Sequence, residues 1–448
     1  MGRNAEPVSG GSARSGERRA RMEQEDVFYS EQLDCGIEVV GQPMAGVESA
    51  AVGILVGTGA RDEEPAHFGV SHFTEQMLFR GTEHYDARAL SESFDSLGVS
   101  YDSTAGLEMT LISAVFLGDR MEPTLNLLGD ILRYPSFPEP DVESVRTQLL
   151  QELLQREDQP AQKVMDVLRQ EFFAGSPISH DVLGGEATVS VLTRADLCDY
   201  WTQRYTANNM VISVAGNFDW KIFVHHIRRL TEAWSQGRGR MVIDKPTPKT
   251  GITVMHRDAA QENIGFAFPC VSVSDPDYYA AALLSLCLGG SSYSRLFREV
   301  RDKRGLAYAV QSRFDGLEKT GLMRVYVGTS VDRAHESIEV VLDELRKLET
   351  EGIMEDELST AKTRLKSQLI MRSESTSARM VANLRSWWFE GRLRPLQEIK
   401  EEIDTVGVDE IASLVRTMAV MDNLAAVALG PRSEEELFGG VTVQPWRR

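Results

Sequence analysis

Gly69-Val70-Ser71-His72-Phe73-Thr74-Glu75-Gln76-Met77-Leu78-Phe79-Arg80-Gly81-Thr82 is the stretch on which the reading of this chain turns. Wound as an α-helix, it sets His72, Glu75 and Gln76 at i, i+3 and i+4, on one face. Phe73, Met77 and Leu78 fall elsewhere on the helix and can bury against a core. An imidazole, a carboxylate and a carboxamide therefore share one polar face of an otherwise apolar helix.

Changing Gln76 to His would complete H-x-x-E-H, the inverted zinc-protease motif. In that motif two imidazoles one turn apart grip a metal, and the Glu between them is general base to the metal-bound water. Here the second imidazole is a carboxamide. The flanks are also patterned. Ala51-Val52-Gly53-Ile54-Leu55-Val56 reads as an apolar strand, and Gly57-Thr58-Gly59-Ala60-Arg61-Asp62-Glu63 as a turn. Strand, Gly-x-Gly-x-Arg-Asp-Glu turn, motif helix and Phe-Arg-Gly-Thr exit together resemble the insulinase/pitrilysin family of zinc peptidases. Mitochondrial processing peptidase and its bacterial relatives belong to that family.

The 448 residues allow two to four domains and a sizeable core. With 42% hydrophobic and 26% charged residues the composition is that of a soluble globular protein. A net charge of -19 makes nucleic acid and anionic membranes poor partners. No apolar run is long enough to span a bilayer. Cys35, Cys198, Cys270 and Cys287 are scattered without a C-x-x-C, which fits free thiols in a reducing compartment. Residues 1–26 are rich in Gly, Ser and Arg without periodicity and read as a disordered tail. Glu6 and Glu17 argue against a transit peptide there, and the expected location is cytoplasmic.

The chain is duplicated. Residues 27–234 form a first unit, 235–250 a Gly/Arg/Pro-containing linker, and 251–448 a second unit. Each opens on an apolar strand (50–56 and 263–268) followed by two helices (71–79 and 87–97; 278–288 and 294–301). Two strands come next (100–103 and 109–116; 307–314 and 322–328). An amphipathic helix (121–133; 334–348) and a long helix (141–156; 355–371) follow. A final helix and strand close each unit (194–205 and 210–215; 409–418 and 424–429). Asn208-Asn209-Met210-Val211-Ile212-Ser213-Val214-Ala215-Gly216 is echoed 214 residues later by Asp422-Asn423-Leu424-Ala425-Ala426-Val427-Ala428-Leu429-Gly430. This mixture predicts an α+β fold. The resemblance implies two homologous domains, each a mostly antiparallel sheet covered by helices.

The resemblance also assigns roles. The family's third metal ligand is a downstream Glu, and Glu152 in Leu149-Leu150-Gln151-Glu152-Leu153-Leu154 takes its place, 76 positions after Gln76. Val145 stands where the family usually carries a further acid. His72, Gln76 and Glu152 thus make a degenerate zinc site around Glu75, a vestigial general base. A Gln carbonyl is a hard, neutral donor, better suited to Ca²⁺ or Mg²⁺ than to zinc. Zinc is expected for the family, and weak or absent binding in this chain. Without the family, His72 and Glu75 read as a hydrogen-bonded polar pair. The remaining histidines read as ordinary surface or core residues.

In the second unit, Arg301 and Tyr308 lie in Arg301-Asp302-Lys303-Arg304-Gly305-Leu306-Ala307-Tyr308. In the family such a pair contacts the scissile carbonyl of bound peptide. Both side chains donate hydrogen bonds to developing oxyanion charge. Residues 98–106 are the expected edge strand for extended peptide. The expected role is a non-catalytic subunit that binds peptide and complements an active zinc peptidase, as a hetero-oligomer or a homodimer. Two other expectations stand beside it. One is a zinc endopeptidase acting alone through an atypical H-x-x-E-Q site. The other is a structural core-type subunit.

Overall fold

The computed structural model describes residues 27–232, 234–237 and 239–440, so the tail expected over residues 1–26 lies outside it. The first sheet contains β1 (Tyr29–Gln32), β2 (Glu38–Pro43), β3 (Ser49–Val56), β4 (Ser100–Ala105), β5 (Thr110–Leu117) and β6 (Met210–Gly216). Their order is β1-β2-β6-β3-β5-β4. β2 and β6 run parallel, and the other neighbours antiparallel. β6 is buried along its whole length, as an uninterrupted apolar strand must be when both sheet faces are covered. β4 forms an edge.

The second sheet contains β7 (Gly251–His256), β8 (Gln261–Cys270), β9 (Ala307–Gly316), β10 (Gly321–Ser330) and β11 (Ala425–Gly430), in the order β7-β11-β8-β10-β9. This repeats β2-β6-β3-β5-β4, down to a single parallel pair, β7 with β11. The protein is α+β, with two homologous units each built on a mostly antiparallel sheet.

Helices of two turns or more are numbered here. The first unit carries α1 (Val70–Leu78), α2 (Ala87–Leu97), α3 (Met121–Arg133), α4 (Glu139–Glu157), α5 (Pro160–Phe172), α6 (Arg194–Arg204) and α7 (Trp220–Thr231). The second carries α8 (Tyr278–Leu288), α9 (Ala334–Glu351), α10 (Glu355–Ser373), α11 (Thr376–Glu390), α12 (Leu396–Thr405) and α13 (Val408–Met418). Phe73, Leu128, Leu197 and Phe223 bury one face of the first sheet, from α1, α3, α6 and α7. Leu284, Val341, Leu358 and Leu414 do the same on the second, from α8, α9, α10 and α13.

The outer faces are closed by exchange. Met380 and Leu384 of α11, in the second unit, pack on Val40, Leu55 and Val211 of the first sheet. Val164, Leu168 and Phe172 of α5, in the first unit, pack on Ala267, Leu322 and Val427 of the second. The seats are glycines. A Cβ on Gly53 would stand 2.0 Å from Met380 Sδ, and one on Gly265 2.9 Å from Val164 Cγ1. The two glycines hold the same register, Gly53 opposite Ser213 and Gly265 opposite Val427.

A buried ion cluster joins the units. The fully buried Arg61 guanidinium donates from Nη1 to Glu108 Oε1 (2.8 Å) and to Glu318 Oε2 (2.5 Å). Glu318, in the β9–β10 turn, also donates its backbone N–H to Glu108 (3.0 Å) and pairs with Arg240 (2.6 Å).

Several elements depart from expectation. The units open earlier than expected, on β1 and β2 and on β7. The helices α5, α7, α11 and α12 stand outside the expected order of elements, and one expected helix is not an α-helix. The helix predicted over 294–301 is a π-helical turn, Phe297–Asp302. Its start is pinned where Arg295 grips Glu357 of α10 through two hydrogen bonds (2.8 and 2.6 Å), and its end where Leu306 N–H reaches Val300 C=O. The wider turn accommodates both anchors. The four cysteines are free, and burial pushes the Cys270 and Cys287 thiols up to about 12. Among the described residues no helix is long and apolar enough to cross a membrane.

Candidate functional site

The motif helix α1 begins where Gly69 takes φ +96°, in the left-handed region that glycine tolerates without strain. Its exposed N–H groups are met by Glu63, whose carboxylate accepts from Gly69 N (2.8 Å), Ser71 N (2.8 Å) and Ser71 Oγ (2.5 Å). A carboxylate at a helix start satisfies orphan donors and suits the positive end of the helix dipole. Burial still dominates and pushes Glu63 up to about 7, against the pull of those hydrogen bonds. Phe73 and Met77 are fully buried, which turns the His72/Glu75/Gln76 face toward α4 and β4.

Five side chains meet there. His72 Nε2 lies 3.0 Å from Glu152 Oε2, brought in by α4. His72 Nδ1 lies 3.3 Å from Glu75 Oε2. Gln76 donates its amide nitrogen to that same Glu75 oxygen (3.0 Å), and Ser103 Oγ, from the edge strand β4, donates to Glu75 Oε1. Both oxygens of Glu75 are therefore engaged. Burial favours the neutral imidazole, but the Glu152 and Glu75 hydrogen bonds and charges outweigh it and hold His72 at about 9. The His72 hydrogen bond keeps Glu152 below the usual carboxylate range despite partial burial. Val145, seven positions before Glu152 on the same side of α4, is fully buried among apolar neighbours and adds no polar group.

A catalytic zinc takes three protein ligands and keeps one position for water. This cluster offers one imidazole, the Glu152 carboxylate and a carboxamide whose nitrogen is turned to Glu75. Among the described residues no group of three or more His, Cys, Asp and Glu is placed to hold a metal ion. The donor set does not fit the zinc centre that the completed motif would build.

Arg301 and Tyr308 stand elsewhere. Arg301 is exposed on the π-helical turn, its guanidinium 4.9 Å from the centre of the Phe297 ring. Tyr308 is 45% exposed on β9, the edge of the second sheet, and donates its hydroxyl to Gln261 Oε1 (2.5 Å). Partial burial raises the Tyr308 phenol above its ordinary value. Among the described residues no hydrogen bond or ion pair links either side chain to the His72 cluster. Sequence reasoning did not single out Ser103 or Glu63. Ser103 carried no spacing signal, but Glu63 did, as the last residue of the Arg-Asp-Glu turn just ahead of an uncapped helix.

Comparison with known proteins bears on this geometry. Residues 39–186 match the profile for insulinase (peptidase family M16), and residues 192–365 that for the peptidase M16 inactive domain. A Mycobacterium tuberculosis protein named as an uncharacterised zinc protease is 31% identical over 408 residues, covering 90% of this chain and 93% of its own. The chain belongs to the insulinase family. A Bacillus subtilis member, also named as an uncharacterised zinc protease, is 29% identical across 88% of this chain and 96% of its own. Among solved structures, a peptidase M16 inactive domain from Pseudomonas fluorescens superposes with a TM-score of 0.85 at 23% identity. That match covers 91% of this chain and 98% of the other, and it establishes the shared fold. The two sequence relatives are thus named as zinc proteases, and Gln76 lies inside the segment that matches the insulinase profile.

Proposed function

We propose that this chain is a non-catalytic insulinase-family subunit that binds extended peptide and completes the active site of a partner carrying an intact H-x-x-E-H. The observation that carries this reading is the state of Glu75. A general base needs a free carboxylate oxygen within reach of the proton it removes. Here Gln76 and His72 hold one oxygen and Ser103 the other. The substrate-facing parts stay open: β4 and β9 are both sheet edges, and Arg301 and Tyr308 are exposed. An edge strand recognises extended peptide through backbone pairing, with little demand on side chains. In an assembly of two such chains, Arg301 and Tyr308 serve the partner's metal centre by donating to the developing oxyanion.

The decisive measurement is peptide turnover by the complex of this chain with an intact family member. Arg301→Ala or Tyr308→Phe here lowers turnover by about 10²–10³-fold, the usual size of an oxyanion contact. Partner zinc content and complex formation stay unchanged. Full activity with both substitutions returns the chain to a structural core-type role. The convergence of His72 and Glu152 at 3.0 Å favours one other reading, a solitary endopeptidase with an H-x-x-E-Q site. Stoichiometric zinc retained through dialysis, with peptide cleavage by the isolated chain, would establish that reading instead.

A further inference from the structure

A cavity of about 570 Å³ opens at the seam between the two units. It lies on the face of the first sheet that α11 covers, whereas α1 and the His72 cluster lie on the other face. Its volume is in the range of small-molecule sites, about 300–1,000 Å³. The lining combines carboxylates with indoles: Asp34 from the β1–β2 connection and Glu38 from the start of β2, and Trp387 and Trp388 from the end of α11. Gln32 and Arg240 are among its other polar residues.

The two carboxylates of this recess have no direct ion-pair partner among the described residues, although the Arg228 charge acts on Asp34. Glu38 accepts from the Gln32 amide (2.8 Å). Burial pushes the Glu38 carboxyl above its ordinary value, against the pull of the Gln32 hydrogen bond. Arg240 does not neutralise them, because its guanidinium is matched by Glu318 at 2.6 Å. Arg240 does show what the aromatic wall accepts, since it lies 4.4 Å from the centre of the Trp388 ring. The second indole, Trp387, lines the same cavity.

We propose that this cavity binds an organic cation, an alkylammonium or alkylguanidinium group on an aliphatic stem. Two carboxylates give such a head group charge-assisted hydrogen bonds. An indole face adds a cation–π contact that strengthens as water is excluded. Val211, on the face that α11 covers, gives the stem an apolar contact. Two sources carry this chemistry, a free polyamine and an arginine or lysine residue of a peptide. The site is independent of the peptide-processing role proposed above, and it operates in the isolated chain.

The test titrates the full-length chain with agmatine, spermidine and an end-blocked alanine–arginine–alanine peptide, following tryptophan fluorescence. Agmatine is expected to give a saturable change. Tighter binding of spermidine than of the peptide assigns the site to a free polyamine, and the reverse order to a peptide residue. Asp34→Asn combined with Glu38→Gln weakens agmatine binding at least about tenfold, with an unaltered circular dichroism spectrum and melting temperature. Should the double variant fold poorly, Asp34→Asn alone, at an exposed position, carries the same expectation with a smaller factor. The proposal is overturned by no saturable change through the millimolar range in the wild-type chain. Equal affinity in a folded variant overturns it too, as does equal binding of the neutral ureido analogue of agmatine.

Discussion

Gln76 decides the chemistry of α1 because its amide has two ends. A histidine at this position would present a ring nitrogen to a metal, whereas the carboxamide turns its nitrogen to Glu75 and leaves one neutral oxygen. Gln76→His therefore restores a third standard ligand to His72 and Glu152. Since even an outer-shell partner is worth ~10–100-fold in affinity, the variant should bind zinc tighter by at least that factor, measured as metal retained after dialysis. An unchanged affinity would mean that Glu152 is misassigned as the distal ligand. The native cluster also predicts a pH response. His72 is held at about 9 against an ordinary 6.5. A base with a raised folded-state pKa contributes its stability fully below the unfolded value and loses it as pH rises through the folded one. The clamp between α1 and α4 should therefore stabilise the protein below pH 6.5 and fade toward pH 9. About 1–3 kcal/mol is at stake, the lower end because Glu152 is half exposed and water screens that side. Denaturant unfolding across that window, compared with His72→Gln, measures it. The polar face of α1 was legible from spacing alone. The direction of the Gln76 amide was not, since it depends on Ser103 and Glu152 arriving from 27 and 76 positions away.

At the scale of elements, the expected order left out β1, β2 and β7 and the helices α5, α7, α11 and α12, and of these α5 and α11 close the outer faces of the sheets. Their signal is present: Val164, Leu168 and Phe172 repeat every four residues, as do Met380, Leu384 and Trp388. Periodicity identifies a helix but not the sheet it covers, and here each helix crosses to the other unit. Strand and helix order within each unit was legible, because turn residues and apolar runs are local signals. The π-helical turn before β9 was not, because the Arg295–Glu357 anchor lies 62 positions away in sequence. The crossing depends on the two equivalent glycines. Gly53→Val drives a branched side chain into Met380 and Leu384, and overpacking of this kind costs about 1–3 kcal/mol. Gly185→Ala is the matched control, with open space around the added Cβ and an extended φ of -143°. A melting temperature lowered by Gly53→Val and unmoved by Gly185→Ala is the expected pair of results. Equal melting for both glycine variants would mean that α11 does not sit on β3.

At the scale of the whole molecule, the exchanged helices bury apolar surface between the units, but the Arg61 cluster fixes where they meet. Arg61 sits two residues before Glu63, which caps α1, and Glu318 lies in the turn of the hairpin whose first strand carries Tyr308. The motif helix of one unit is thereby tied to the β9 edge of the other. Arg61 was visible in the Gly-x-Gly-x-Arg-Asp-Glu turn, while its partners, 47 and 257 positions away, had no local signature. Removing one member of a buried ion cluster leaves its partners charged and unpaired, which costs about 3–5 kcal/mol. Arg61→Leu should destabilise the protein by that amount, and Arg61→Lys by less, since a single nitrogen, Nη1, makes both contacts and an ammonium keeps a charge with several donors for them. Glu318→Gln separates the joint from the first unit, because Glu108 still holds Arg61. Its cost is smaller, and it appears as faster proteolysis within residues 235–250 and not as lost secondary structure. The cycle Arg61→Leu with Glu318→Leu then measures the joint itself, with a coupling of about 0.5–3 kcal/mol expected for residues in direct contact. A coupling near zero would place the rigidity of the seam in the crossing helices α5 and α11 alone.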